Sequence, residues 1–288
     1  MPKSKIQNPK SKICLTIAGL DPSGGAGIIA DIKTFSAFGC FATAAIASLT
    51  FQNTTGVFGA VSQSAETVRR QIEPILQDFD ISALKTGMLP TGEIIEEVAR
   101  IFEEYKLENF VVDPVVRSTS GFDLIDDEAL RILIEKLFPL STVVTPNLPE
   151  AERIAQMRIE NADDIKRAAK IMQSYGAKNV LIKGGHLPIL DFGFWILDSE
   201  SKDKKPKTEV RKAIDFLFIG DDLQIFESDY IETDATHGTG CTLAAAITAN
   251  LALGKSLAAA VETAKEFVTQ AIRTAPPLGR GHSPLNLL

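Results

Sequence analysis

Two rhythms alternate along the chain. Short apolar runs are each followed by a stretch in which apolar residues recur every three or four positions. ICLTIAGL (Ile13–Leu20) reads as a buried strand, and GAGIIADIKTFSAFG as a helix closed by Gly39. FATAAIASLT is a second strand. SAETVRRQIEPILQDF is a helix opened by Ser64; Thr67 follows it three residues on, so a simple cap is expected and not a capping box. ISALKTGML precedes the helix GEIIEEVARIFEEYK, and NFVVDPVV precedes DDEALRILIEKLF. STVVTPN leads into LPEAERIA, and DDIKRAAKIMQSYGA leads into NVLIKGG. This repetition predicts an α/β fold with a mainly parallel sheet and helices on both faces.

After Gly185 the rhythm changes. DFGFWILD and FLFIGDDLQIFE read as antiparallel strands, the latter turning at Gly220-Asp221-Asp222. Between them Ser199 to Asp215 is highly charged and reads as a solvated insert. Two helices close the chain, CTLAAAITANLAL and SLAAAVETAKEFVTQAIRTA, separated by Gly254. No linker interrupts the pattern. A single α/β domain over 13–288 is expected, with a polar extension over 1–12 in which PKSKI occurs twice.

Composition narrows the classes. The 288 residues are 45% hydrophobic and 23% charged, enough for a sizeable core. A net charge of −7 gives no basic footprint for nucleic acid. No apolar run is long enough for a membrane span, and the lysine-bearing N-terminus lacks a secretory apolar region. Cys14, Cys40 and Cys241 form neither a disulfide framework nor a zinc pattern, so a reducing, cytoplasmic setting is expected.

Polar clusters fall where strands should end, the usual place for ligands in open α/β sheets. They are Asp21-Pro-Ser-Gly-Gly-Ala-Gly27, Gln52-Asn53, Lys85-Thr-Gly-Met88, Asp113-Pro114, Thr145-Pro-Asn-Leu-Pro-Glu150 and Lys183-Gly-Gly-His186. Gly238-Thr239-Gly240 stands before a helix, where unpaired N–H groups make a seat for a phosphoryl group. Read alone, it is a tight turn capped by Thr239. Cys241 follows directly, and a thiol at a helix N-terminus is expected to have a lowered pKa. Its plainer reading is a small apolar residue packed under the loop, which Cys14 and Cys40 are expected to follow. Asn147–Glu150 (N-x-x-E) offers oxygens of the kind Mg²⁺ takes, often through water, or a charge for a helix start. His186 and His237 read as loop hydrogen-bonders. Met88 reads as core.

Together these motifs resemble a known family. AGLDPSGGAGIIADIKTFSAFG, FQNTTGV, KTGML, VVDPVV, VTPNLPEAE, LIKGGH and THGTGCTLAAAI, in this order, are similar to the hydroxymethylpyrimidine/phosphomethylpyrimidine kinases of the ribokinase-like superfamily. The resemblance implies a ribokinase-like fold and ATP-dependent phosphorylation of a hydroxymethylpyrimidine, then of its monophosphate, in thiamine biosynthesis. It implies that Gln52 hydrogen-bonds the pyrimidine, that Gly19, Ala26, Met88 and Val115 wall its pocket, and that Asp31 lies near the substrate side. Asp113, Asn147, Glu150, Lys183 and Lys265 would serve ATP, with Asn147 and Glu150 holding Mg²⁺ through water. Gly238, Thr239 and Gly240 would form the anion hole and Cys241 the base. The expected partners are ATP and a small pyrimidine, with no nucleic acid and no membrane. A homodimer is the expected assembly. A pyridoxal or pyridoxine kinase of the same fold, a sugar kinase (expected to carry Asp in place of Cys241) and a catalytically silent pyrimidine sensor are the competing readings.

Overall fold

The computed structural model describes residues 11–117, 123–184 and 212–288. The strand predicted at DFGFWILD, His186 and most of the predicted insert lie outside them. Nine strands form one sheet in the order β3-β2-β1-β4-β5-β6-β7-β8-β9. They are β1 (Ile13–Leu20), β2 (Phe41–Asn53), β3 (Gly56–Ser62), β4 (Ile81–Thr86), β5 (Phe110–Val112), β6 (Val143–Val144), β7 (Asn179–Lys183), β8 (Lys212–Ile219) and β9 (Asp222–Asp229). The strands β2, β1, β4, β5, β6 and β7 run parallel, while β3, β8 and β9 pair antiparallel at the two edges.

The period-two alternation of the strands divides the core between two faces. Leu15, Leu84, Val112, Val144, Ile182 and Phe216 face one layer, formed by α2 (Ala65–Asp78), α3 (Gly92–Tyr105), α4 (Asp127–Leu137), α5 (Leu148–Ala155) and α6 (Ala162–Ser174). Cys14, Ala83, Val111, Val143, Leu181 and Leu217 face the other, formed by α1 (Gly27–Ala37), α7 (Thr239–Ala252) and α8 (Leu257–Arg273). Helix α7 is apolar all round, and eleven of its residues from Thr242 to Ala252 are buried; that is the pattern of a helix enclosed by neighbours. The predicted helix starts hold locally: Ser64 accepts from the Thr67 N–H, as expected of a simple cap.

Two boundaries differ from the sequence reading. Gln52 and Asn53 do not follow a strand but end β2, which turns through Thr54 and Thr55 into the unpredicted β3. Asp215 does not close a solvated insert. It lies within β8, which starts at Lys212 and pairs with β7. Lys212 and Asp215 hid the beginning of that strand, whose apolar part from Phe216 was expected.

Candidate active site

The cleft opens where the sheet's α7-side face passes from apolar to polar. Moving two residues towards the same end of the sheet from each of six apolar residues gives a row across it. Cys14, Ala83, Val111, Val143, Leu181 and Leu217 lead to Thr16, Lys85, Asp113, Thr145, Lys183 and Asp215. The row places two lysines, two aspartates and two threonines side by side, and they are held by one another or by charged residues of the covering helices. Thr16 Oγ1 and Lys85 Nζ both donate to Asp31 Oδ2, at 2.6 and 2.9 Å. Thr145 Oγ1 and Lys183 Nζ both donate to Asp113 Oδ1, at 3.1 and 3.0 Å. Lys265 of α8 donates to Asp215 Oδ2 at 2.7 Å, and Asp215 Oδ1 accepts from the Gly184 N–H at 3.2 Å. Buried charges are costly unless paired, so each cation here has its carboxylate.

Two glycine loops meet above this row. In the first, Asp21 Oδ1 accepts from the backbone and hydroxyl of Ser23, and Oδ2 accepts from the N–H groups of Gly25 and Ala26. His237 Nε2 lies 2.8 Å from Asp21 Oδ2 and joins the second loop to the first. Burial raises the Asp21 carboxyl, but the hydrogen bonds from His237 and Ser23 outweigh it and hold the group below its usual range. Gly238 takes φ +81°, and a Cβ there would lie 1.8 Å from the Gly25 carbonyl oxygen; only glycine allows the loops to touch. Gly238, not Thr239, is the N-cap of α7. Thr239 makes no side-chain cap; its hydroxyl turns back to the Thr236 carbonyl at 3.2 Å.

One cleft of about 410 Å³ gathers nearly every expected site residue. Its lining includes Gly19, Ala26, Gln52, Met88 and Val115 from the first half of the chain. It includes Asp113, Asn147, Glu150, Lys183 and Lys265, and it includes Gly238, Thr239, Gly240 and Cys241. Asp31 is the exception. It is fully buried beneath Lys85 and is not part of the lining. Met88 is both core and wall, 9% exposed and facing the cleft beside Gly19. Gln52 Oε1 accepts from Thr50 at 3.0 Å. Its Nε2 is 3.4 Å from His237 Nε2. If the His237 Nε2–H donates to Asp21, that nitrogen has no lone pair for Gln52, and the Gln52 amide N–H groups remain directed to the cleft.

The electrostatics correct one expectation. The Cys241 thiol is pushed up to about 11, not lowered. Burial is the largest cause, and Lys85 opposes it; the charges of Asp113 and Asp31 push up, and the Gly27 N–H pulls down. The helix N-terminus is real, but desolvation beside two carboxylates outweighs it. Glu150 is also raised, to about 7, by burial first; Lys183 pulls it down and Asp113 pushes it up. N-x-x-E is a complete capping box here: Asn147 Oδ1 accepts from the Glu150 N–H at 2.9 Å, and Glu150 Oε2 accepts from the Asn147 N–H at 2.8 Å. His237 is the loop hydrogen-bonder expected of it, and Asp215, Asp21 and Lys85 are the residues here for which no individual role was expected. Residues continuing the apolar row by two positions would have been the signal for Lys85 and Asp215.

A mainly parallel sheet with a glycine-shaped helix mouth, a buried lysine–carboxylate row and an adjoining pocket has the architecture of the ribokinase-like kinases. Comparisons agree. The phosphomethylpyrimidine kinase model matches residues 21–286, and the chain belongs to that family. It is 43% identical over 272 residues to a hydroxymethylpyrimidine/phosphomethylpyrimidine kinase of Bacillus subtilis, covering 94% of this chain and 93% of that one. Among solved structures, the phosphomethylpyrimidine kinase of Clostridium difficile matches with a TM-score of 0.74 and 39% identity, over 91% of this chain and 100% of the other. An ADP complex of Bacillus subtilis pyridoxal kinase matches with a TM-score of 0.80 and 37% identity, over 96% of each chain. The protein is a kinase and uses ATP and a small-molecule substrate. Among the described residues no helix is long and apolar enough to cross a membrane.

Proposed function

We propose that the protein transfers the γ-phosphoryl group of ATP to the primary hydroxyl of 4-amino-5-hydroxymethyl-2-methylpyrimidine, and then to the resulting monophosphate, giving the pyrophosphate used in thiamine biosynthesis. The observation that carries this reading is the single cleft in which Gln52, Met88 and Val115 adjoin the Gly238–Cys241 helix mouth. An amide that can donate and accept suits the aminopyrimidine edge, and Gly19, Ala26, Met88 and Val115 suit the flat ring. The Cys241 sulfur accepts the hydroxyl proton as the oxygen attacks the γ-phosphorus and the bond to ADP breaks. At about pKa 11 the thiolate is scarce at neutral pH but strongly basic, so the rate should climb into alkaline pH. Gly238, Thr239 and Gly240 backbone groups and the Lys183 ammonium stabilise charge spread over the moving phosphoryl group. Lys183 Nζ lies 3.2 Å from where a Gly240 Cβ would be, so it abuts that loop. Lys265 and Asp113 complete the ATP side.

Mg²⁺ fits the donor set. Among the described residues no group of three or more His, Cys, Asp or Glu forms a cage. A lone buried carboxylate with water and phosphate oxygens is the arrangement Mg²⁺ takes with nucleotides. Glu150 would hold it through water; Asn147 Oδ1 is engaged in the cap and would serve by fixing Glu150. The ion supplies charge neutralisation between phosphate oxygens. Residues 13–288 act as one kinase unit in this reading. The free thiols of Cys14, Cys40 and Cys241 support a cytoplasmic setting.

The likeness to pyridoxal kinases favours one second reading, pyridoxal phosphorylation in the same cleft. Steady-state assays with hydroxymethylpyrimidine, its monophosphate and pyridoxal decide between them. The highest kcat/KM should fall on the pyrimidine pair. A pyridoxal preference, with the pyrimidine turned over at least tenfold more slowly, would replace the reading by the second.

A further inference from the structure

Lys85 is a charged member of the polar row to which the proposed chemistry gives no task, and unlike Asp215 it holds no residue of the ATP side. It is fully buried on β4, two residues past Ala83, so its side chain rises on the sheet face covered by α1 and α7. Both helices send a reactive group to that place. Asp31 comes from the buried side of α1, and Cys241 from the first turn of α7, which lies over β1, β4 and β5. The ammonium has three N–H donors, and Asp31 Oδ2 takes one at 2.9 Å. Thr16 Oγ1 donates to the same oxygen, while Asp31 Oδ1 is buried with no hydrogen-bond partner. A buried ion pair of this kind is weak support for stability, since a well-packed apolar pair would serve as well or better. Its position directly under a polar cleft argues for a different use.

We propose that Lys85 is a positioning residue for the reaction: it is the buried cation that stabilises the Cys241 thiolate, and Asp31 fixes it beneath the sulfur. This deepens the reading of Cys241 as base, although its test does not depend on that reading. The charged groups that act on the thiol are Lys85 of β4, Asp31 of α1, Asp113 after β5 and Lys183 of β7, with the Gly27 N–H at the start of α1. Lys85 is the foremost of these in favouring the thiolate. In return, the thiolate and the two carboxylates lift the Lys85 ammonium above its usual range against the effect of burial. Lys183 is held by Asp113 and shared with Glu150, and the proposed reaction gives it to the phosphoryl group, so it does not serve the sulfur alone.

The test removes the ion pair whole, so that neither charge is left buried alone. Wild type is compared with Asp31→Asn/Lys85→Met, and with Asp31→Asn/Lys85→Gln in case the methionine variant folds poorly. In each, iodoacetamide labelling of Cys241 is followed by peptide mass spectrometry from about pH 7 upward, without nucleotide. Only the thiolate reacts, so the pH profile reports the thiol's ionisation directly. Loss of Lys85 should shift that profile upward by about one unit or more, a tenfold slower labelling at fixed pH on the acid limb. Profiles that coincide, or a shift downward, would overturn the proposal. A merely structural lysine would change melting temperature and leave the pH profile in place. Failure of Cys241 as the base would appear elsewhere, in kcat of Cys241 variants, and would leave this shift intact.

Discussion

At the residue scale, Cys241 answers two opposed demands. As a proton acceptor it must be basic, and as a nucleotide-site residue it must be shielded from water. Shielding wins, and the thiol rises to about 11. The sequence reading saw the helix mouth but not the enclosing protein. The local rule for a thiol at an N-terminus was read correctly and then outweighed by burial beside Asp113 and Asp31, which are distant in sequence. For the same reason Asp31 resembled a substrate residue while it lies under the site, held by Lys85 and Thr16. Gln52 belongs to this scale too. Gln52→Leu should raise the pyrimidine KM by roughly tenfold or more, because a ring polar group loses its partner in a buried site. The KM for ATP should be unchanged in the same titration; an unaltered pyrimidine KM would remove Gln52 from recognition.

At the scale of elements, the α5 start joins structure to function. The Asn147–Glu150 box is a stability device, and its carboxyl is also a buried oxygen acceptor lining the cleft. Glu150 rises from an ordinary 4.5 to about 7 on folding, so the folded protein binds the proton more tightly than the unfolded chain. Burial of this group is therefore free of penalty below about pH 4.5, and stability is lost as pH rises through 7. Glu150→Gln should melt like the wild type near pH 4.5 and higher than it at pH 8.5 in nucleotide-free protein. A gap of the opposite sign at pH 8.5 would contradict the linkage. The same variant should need more Mg²⁺ for half-maximal rate; superimposed Mg²⁺ titrations would reduce Glu150 to a cap. The βαβ elements were legible because strand and helix periods differ so clearly. β3 was not, since GVFGAVS carries two glycines and exposes most of its residues as an edge strand. β8 was legible from Phe216 onward, and only its charged beginning, Lys212 to Asp215, was missed; that part places Asp215 against Lys265.

For the whole molecule, the β2–β3 edge exposes apolar side chains on which the proposal of a homodimer can be tested. Leu49, Phe51 and Val61 are 38%, 54% and 50% exposed, with Leu49 and Val61 directly paired across the hairpin. Light scattering should give about twice the 31.1 kDa chain mass, and Phe51→Lys should halve it. A monomeric wild type would refute that assembly. The central claim is that this fold brings a pyrimidine hydroxyl to Cys241 above a phosphoryl seat. The measurement that tests it most directly is single-turnover phosphorylation of hydroxymethylpyrimidine by Cys241→Ala against wild type across pH. The wild-type rate should rise with pH towards the thiol's value of about 11. The alanine variant should lose that rise and fall about a hundredfold, the usual size of a general-base contribution, with substrate affinity little changed. A folded Cys241→Ala enzyme that keeps the wild-type rate and its pH dependence would contradict the account.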